Sequence, residues 1–336
     1  MKRILVTGGL GYIGSHTVVE LISQGYEVLI ADNLSNSRAE VLDGIETICG
    51  SRPEWVNIDL SDSEKCKLFL KNIKLEGIIH FAAFKAVGES VNDPLKYYQN
   101  NIFSLVNVLK YLEENKNCNF IFSSSCSVYG EAKKLPITEN EIIKPAESPY
   151  GNTKQICEEI IKESSIAYNL KTIALRYFNP IGAHPSGKIG ELPIGVPQNL
   201  VPFITQSAAG IRGELNVFGD DYPTHDGTAI RDYIHVVDLA QAHIKALERL
   251  LNNENESSSE TFNLGTGKGS SVLEVIKAFE LATGEKLDYN VVGRRKGDVV
   301  SAFADIKLAK EKLGWETKKT IEDALKDAWR WQKNLV

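Results

Sequence analysis

A short candidate strand at residues 3–6, apolar from Ile4, breaks into Val6-Thr7-Gly8-Gly9-Leu10-Gly11-Tyr12-Ile13-Gly14 and then into a helical pattern over residues 12–24. No other stretch limits the possible folds so sharply. Glycines between a strand and a helix permit a tight turn, close approach of a pyrophosphate and close helix–strand packing. The helix start then offers amide donors and a positive dipole end to the anion. Two spacings fit: Gly8, Gly11 and Gly14, or Gly9, Gly11 and Gly14 in the Gly-x-Gly-x-x-Gly form. Either predicts a bound dinucleotide. An ordinary glycine-rich turn is the alternative.

The first half of the chain repeats this alternation. Candidate strands lie at 3–6, 27–31, 54–57, 77–81, 119–123 and 172–176, with helical patterns at 12–24, 63–73, 95–114 and 150–165. Strands alternating with helices imply a parallel sheet covered on both faces, and right-handed crossovers make it doubly wound. The fold class is therefore α/β, a Rossmann-type sheet. Beyond Asn179 the regularity breaks, and the Gly- and Pro-rich stretch 180–202 reads as a loop. Residues 1–179 then form the dinucleotide-binding domain, with strand and helix contributions from about 231–265. Residues 180–336 mainly form a smaller mixed α/β substrate lobe. The polar segment 252–260 reads as a solvated loop.

Composition narrows the class further. With 336 residues, 43% hydrophobic and 24% charged, the chain can bury a substantial core. A net charge of -6 argues against general binding to nucleic acid or a membrane surface. No apolar run reaches spanning length, and residues 4–6 are too few for a signal-peptide core. Five scattered cysteines without Cys-x-x-Cys spacing argue against a disulfide frame or structural zinc. A reducing cytoplasm is the simplest setting, and no metal is expected.

Asp32, 18 residues after Gly14, ends the second strand. An acid there accepts hydrogen bonds from an adenosine ribose and repels a 2′-phosphate, which favours NAD over NADP. A turn in Asp32-Asn33 is the alternative, and Arg38 lies nearby. Asp59 and Leu60 follow the third strand, in reach of the adenine. His80-Phe81-Ala82-Ala83-Phe84-Lys85 ends the fourth, where small Ala82 lets a coenzyme lie against the backbone. Tyr150 and Lys154 share one helical face after the fifth strand, with Pro149 at the first turn. A phenol of pKa ~10 is a poor base at neutral pH, but a nearby ammonium favours its ionised form. Ser123-Ser124-Ser125-Cys126-Ser127 ends the fifth strand, where open α/β sheets bind ligands. Ser125 can bridge a substrate hydroxyl and Tyr150. Cys126 has no histidine near it in sequence to make it a nucleophile.

These segments, with Arg176-Tyr177-Phe178-Asn179-Pro180, resemble the extended short-chain dehydrogenase/reductases. Lys85-Ala86-Val87-Gly88-Glu89-Ser90, Gly182-Ala183-His184-Pro185-Ser186-Gly187 and Arg231-Asp232-Tyr233-Ile234-His235-Val236 narrow the likeness to the UDP-galactose 4-epimerases. The likeness spans nearly the whole chain. It implies a tightly held NAD+ that is reduced and reoxidised within each turnover, and a transient 4-keto sugar that turns over before hydride returns. It implies that Tyr150 takes the sugar 4-hydroxyl proton, aided by Ser125, while Lys154 tunes Tyr150 and orients the coenzyme. Gly8, Gly11, Tyr12, Ile13, Gly14, Asp32, Asn33, Asp59, Leu60, Phe81, Ala82, Lys85, Asn100, Ser123 and Tyr177 complete the implied coenzyme contacts. On the substrate side the resemblance implies Arg231 and Arg295 for the diphosphate and Asp298 for the ribose. Lys85, Phe178, Asn179, Asn199, Leu200, Asn216, Val217 and Phe218 line the rest. Arg294-Arg295-Lys296 taken alone is more often a solvated turn.

Ala302 matches the family position that limits sugar-pocket size. Its small side chain implies that UDP-N-acetylglucosamine and UDP-N-acetylgalactosamine fit as well as UDP-glucose and UDP-galactose, unless Phe303 refills the space. A nucleotide-sugar 4,6-dehydratase would need an acid pair where this chain has Cys126-Ser127. A net dehydrogenase and a non-catalytic NAD-sensing protein are further alternatives. The resemblance also suggests a homodimer formed through helices within 100–114 and 150–165.

Overall fold

The computed structural model describes residues 1–295 and 298–335. Lys296 of the cationic cluster, and Gly297 beside it, lie outside the described residues. The chain begins with β1 (Arg3–Thr7), α1 (Tyr12–Ser23), β2 (Glu27–Asp32), α2 (Val41–Cys49), β3 (Glu54–Asn57), α3 (Ser63–Leu70) and β4 (Gly77–His80). Then come α4 (Val87–Asn92), α5 (Pro94–Glu114), β5 (Asn119–Ser123), a 3-10 turn (Cys126–Tyr129), α6 (Pro149–Tyr168), β6 (Thr172–Tyr177) and β7 (Asn179–Ile181). The second half holds α7 (Leu200–Ala208), β8 (Leu215–Phe218), β9 (Ile230–Arg231), β10 (Tyr233–His235), α8 (Val236–Leu251) and β11 (Ser259–Leu264). It ends with β12 (Ser270–Ser271), α9 (Val272–Thr283), β13 (Tyr289–Val292), β14 (Ser301–Ala302), α10 (Lys307–Leu313) and α11 (Ile321–Lys333).

Seven parallel strands form the main sheet in the order β11-β6-β5-β4-β1-β2-β3. Their apolar runs are continuous because both faces are buried. Alternate residues then feed two cores. Ile4, Val6, Ile30, Ile79 and Ile121 enter one with α1, α2 and α8, whereas Leu5, Leu29, Ile78, Phe120 and Phe122 enter the other with α3, α5 and α6. The chain reverses direction across the sheet at β1, which pairs with both β2 and β4. The crevice outside the strand ends at that reversal is the ligand position of open α/β sheets.

A third core, with Ile204, Val217, Phe279, Leu325 and Trp329, joins α7, α9 and α11 to the parallel pair β8–β13. Short strands β12-β9-β14 and the pair β7–β10 connect this part to the sheet's edge. The differences from expectation are local. The helix expected to 73 stops at Leu70, and Asn72 takes a left-handed φ of 71°. The stretch 180–202 is not all loop, since β7 ends in it at Ile181 and α7 begins at Leu200. The polar segment at 252–260 ends two residues early, because Ser259 and Glu260 already belong to β11.

Candidate active site

The glycine loop leaves both spacings open, since a Cβ on Gly9 would lie 2.9 Å from Ile30 Cγ2 and 3.0 Å from the Val6 carbonyl oxygen. Gly8 has the left-handed φ of 66°, and a Cβ there would lie 2.9 Å from the Ala82 nitrogen. A Cβ on Gly14 would lie 2.2 Å from the Gly8 carbonyl oxygen. Gly8 and Gly14 thus carry the turn and the close packing. Gly11 caps α1 without a side chain, so the first amides of the helix, at Tyr12 and Ile13, stay available to an anion. This cradle of bare backbone fits a pyrophosphate.

Asp32 is buried at the end of β2 and already employed. Its carboxylate accepts from the Leu10 amide at 3.0 Å, the Leu34 amide at 2.9 Å and the Ser37 hydroxyl at 2.7 Å. It ties the second strand to the glycine loop. Asn33 is partly exposed beside it. Asp59 accepts from the Ser61 amide and hydroxyl, and the Leu60 side chain is buried in the second core. At the end of β4, Phe81 packs on His243 with ring centroids 4.7 Å apart, and the Ala82 amide donates to the Thr7 hydroxyl at 3.3 Å. His80 is a structural residue: its Nδ1 shares a 2.9 Å hydrogen bond with Thr7, and burial lowers its pKa to about 3.

The reacting centre sits where β5 meets α6. Ser148 caps α6, accepting from the Gly151 amide at 3.1 Å, so Tyr150 and Lys154 enter on the first turns. Tyr150 is 8% exposed. Burial pushes its phenol well above the ordinary range, the nearby Tyr177 adds to this, and Ser125 opposes it. Lys154 turns its ammonium to the Ser123 carbonyl at 2.7 Å and over the Phe122 ring at 4.7 Å. Its pKa falls to about 8 because it is buried, with Cys157 and Glu158 opposing the shift. Ser123 Oγ is 2.8 Å from the Tyr177 hydroxyl. Ser125 caps the 3-10 turn, accepting from the Ser127 amide. Burial raises the Cys126 thiol to about 11, which suits a neutral lining group rather than a nucleophile.

The other expected residues fall into two groups. Lys85 meets Glu191 at 3.1 Å, and Asn199 donates to the same Glu191 oxygen at 2.8 Å. Tyr12 donates to the Gly182 carbonyl at 2.7 Å, with Lys85 5.7 Å above its ring. These contacts join the coenzyme loop to the start of α7, where Leu200 is half-buried. Farther out, Arg231 pairs with Asp298 and donates to the Ile230 carbonyl at 2.8 Å. Arg295 stacks 4.3 Å from the Phe218 ring. Ala302 is the strand partner of Arg231 and packs on the cluster of Val128, Tyr129 and Phe178. Phe303 points to Gly269 instead, where a Cβ would be 3.3 Å away. Asn179 donates its amide to the Asp232 carbonyl. Val217 puts its side chain in the third core, while Asn216 faces out. Among the described residues no cluster of three His, Cys, Asp or Glu could hold a metal ion.

Three residues escaped the sequence reading. Glu191 joins Lys85 to Asn199. Asn101, beside the half-buried Asn100, is itself buried and links Phe84 to Thr153 at 3.1 Å. Glu158 lies one turn beyond Lys154 on the same face of α6, and only that spacing could have pointed to it.

A family model described as GDP-mannose 4,6 dehydratase matches residues 5–328. A UDP-glucose 4-epimerase from Bacillus subtilis is 49% identical over 334 residues, covering 99% of this chain and 97% of that one. The chain belongs to the UDP-glucose 4-epimerase family. A solved UDP-glucose 4-epimerase from Stenotrophomonas maltophila, with bound NAD and formylated UDP-arabinopyranose, is 45% identical with a TM-score of 0.95. The match covers 100% of this chain and 99% of that one. One from Bifidobacterium longum, in complex with NAD+ and UDP, is 42% identical with a TM-score of 0.93, at 99% and 98% coverage.

Proposed function

We propose that the protein interconverts the C4 epimers of UDP-hexoses, UDP-glucose and UDP-galactose first among them, with NAD as resident coenzyme. The observation that carries this reading is the buried Tyr150 phenol near Ser125, one helical turn before a buried Lys154, on a parallel sheet that also carries a bare-backbone anion cradle. When bound, NAD+ supplies a hydride acceptor and then a hydride donor at the sugar's C4. Tyr150 takes the 4-hydroxyl proton and returns it after the ring has turned. Ser125 steadies the hydroxyl in transit. Burial keeps Tyr150 neutral at rest, so it becomes a base only when positive charge is close. Lys154 holds the Ser123 carbonyl and thus the end of β5.

The nucleotide must stay anchored while the sugar inverts. Arg231 and Arg295 fit the diphosphate, since a guanidinium grips phosphate through paired hydrogen bonds. Asp298 fits the ribose. The division of labour follows the chain: residues 1–179 with parts of 231–265 serve the coenzyme, and the remainder mainly serves the UDP-sugar. Ala302 leaves room beside Phe178, and with Phe303 turned away the pocket accepts acetamido sugars too. Dehydration is disfavoured, because Cys126 and Ser127 put no carboxylate at the position where the acid pair is needed. The test is epimerisation of each UDP-sugar carrying deuterium at C4. Label should stay at C4 through inversion, and its loss to solvent would overturn the reading.

The assembly proposed is a homodimer through α5 and α6. These helices pack side by side on the sheet and expose Leu95 and Phe103 from one, and Ile166 from the other. Sedimentation that shows only monomer would refute it. No described helix is long and apolar enough to cross a membrane. The five cysteines are all free, which fits the reducing cytoplasm proposed as its compartment.

A further inference from the structure

Among the buried charged pairs that take no part in the proposed reaction, one adjoins the reacting centre. Glu158 and Arg176 have side chains only 11% and 7% exposed, and they bond in bidentate fashion: Nε to Oε1 at 3.0 Å and Nη2 to Oε2 at 2.6 Å. Ser124 donates its hydroxyl to the same carboxylate at 2.5 Å. Arg176 also donates to the Tyr129 hydroxyl at 2.9 Å, which donates to Asn263 at 2.6 Å. Such a pair is weak evidence for stability, because desolvation offsets much of its attraction. Its placement is more informative. Ser124 lies between Ser123, whose carbonyl holds Lys154, and Ser125. Arg176 precedes Tyr177, whose hydroxyl holds the Ser123 side chain. Glu158 follows Tyr150 and Lys154 at successive turns of α6.

We infer that Glu158 is a positioning residue of the reacting centre, whose carboxylate, gripped by Arg176, fixes residues 123–125 against Tyr150 and Lys154. The inference deepens the epimerase reading and rests on it. A displacement near 1 Å at reacting groups costs on the order of 10²-fold in rate, so one link in this chain is worth measuring. Glu158 also places a negative charge one turn from Lys154. The titratable groups set against that ammonium are His80 on β4 and Cys157 and Glu158 on α6. Phe122 and the Ser123 carbonyl face it from β5.

The test compares Glu158→Gln with Ser124→Ala in the NAD-loaded enzyme. Gln keeps the shape and can still accept from Ser124, but removes the charge. Ala removes a single link and leaves the ion pair whole. We expect coenzyme content after gel filtration to be unchanged in both, KM to move by less than about threefold, and kcat to fall roughly 10- to 100-fold in Glu158→Gln and several-fold in Ser124→Ala. The alkaline limb of kcat should move to lower pH in Glu158→Gln alone. A merely structural pair would lower the melting temperature and leave kcat and its pH profile intact in the folded fraction. That result in either variant overturns the inference. If Glu158→Gln does not fold, Ser124→Ala decides, and wild-type kcat there overturns it. A wild-type enzyme that fails to epimerise any UDP-sugar would instead bring down the function reading.

Discussion

Two regions of this molecule are suited to holding phosphate, and they are made of opposite materials. At the start of α1 side chains are removed: Gly8, Gly11 and Gly14 expose backbone amides, and a Cβ at Gly14 would drive into the Gly8 carbonyl. Around β9 side chains do the work: Arg231 is held by Asp298, and Arg295 rests on Phe218. The first cradle is fixed by the fold before any ligand arrives. The second is held by exchangeable partners, so a nucleotide bound there as proposed would compete with Asp298 for Arg231. The proposed roles, a coenzyme that stays and a substrate that leaves, call for this difference.

Tyr150 belongs to neither cradle, and its removal should touch neither. Tyr150→Phe is expected to keep its NAD and its affinity for UDP while kcat drops by roughly 10³-fold, in line with loss of a general base. Absorbance for coenzyme content and a coupled epimerase assay check this. Near-normal turnover would take the proton transfer away from Tyr150. Next in size, Ala302→Tyr should cut turnover of the acetamido sugars by on the order of 10²-fold and spare UDP-glucose, since it fills only the space beside Phe178. Equal loss on both substrates would contradict the size gate.

The comparison itself breaks if the two cradles respond alike. Gly14→Ala adds one carbon where backbone blocks it, and overpacking there costs about 1–3 kcal/mol. It should purify with little NAD, a loss of affinity of about 10- to 100-fold, and still bind UDP in calorimetry. Arg231→Ala should do the reverse. It should keep full coenzyme and raise KM for UDP-glucose about tenfold, as for one charged hydrogen bond lost. A variant of either kind that loses both ligands would show the two sites to be one coupled unit.

How much of this was legible in the sequence follows from the same contrast. The backbone cradle wrote itself into the chain as glycine spacing after an apolar strand, and six of the seven sheet strands stood out as apolar runs. Right-handed crossovers predicted a doubly wound parallel sheet, but not the order of its strands. Arg231 and Asp298 gave no such signal. A lone arginine and a distant acid look like surface until a fold brings them together, and only the family likeness singled them out. Glu191, Asn101 and Glu158 stayed hidden for a related reason. Each works by joining segments far apart in sequence: Glu191 meets Lys85 across 106 positions. The family likeness gave Lys154 the tuning of Tyr150 and the orienting of the coenzyme; the structure adds that its ammonium meets the Ser123 carbonyl, a contact that spacing along α6 did not foretell.

Lys154 offers the finest test, because it is a cation buried at neither cradle. Burial lowers its pKa from 10.5 to about 8, so the folded protein gives up its proton above pH 8 while the unfolded chain keeps it to about 10.5. Where the unfolded state binds more protons, stability rises with pH. Between these two values Lys154 therefore contributes rising stability, as the cost of burying its charge is relieved, whereas below pH 8 that cost is present in full. Activity should move the other way, falling a few-fold from pH 8 to 9 as the ammonium is lost. The melting temperature of coenzyme-stripped wild type, measured against Lys154→Met, should gain a degree or so over the same interval in which kcat declines. Stability and activity falling together would mean that Lys154 stays charged, and that another group sets the alkaline limb.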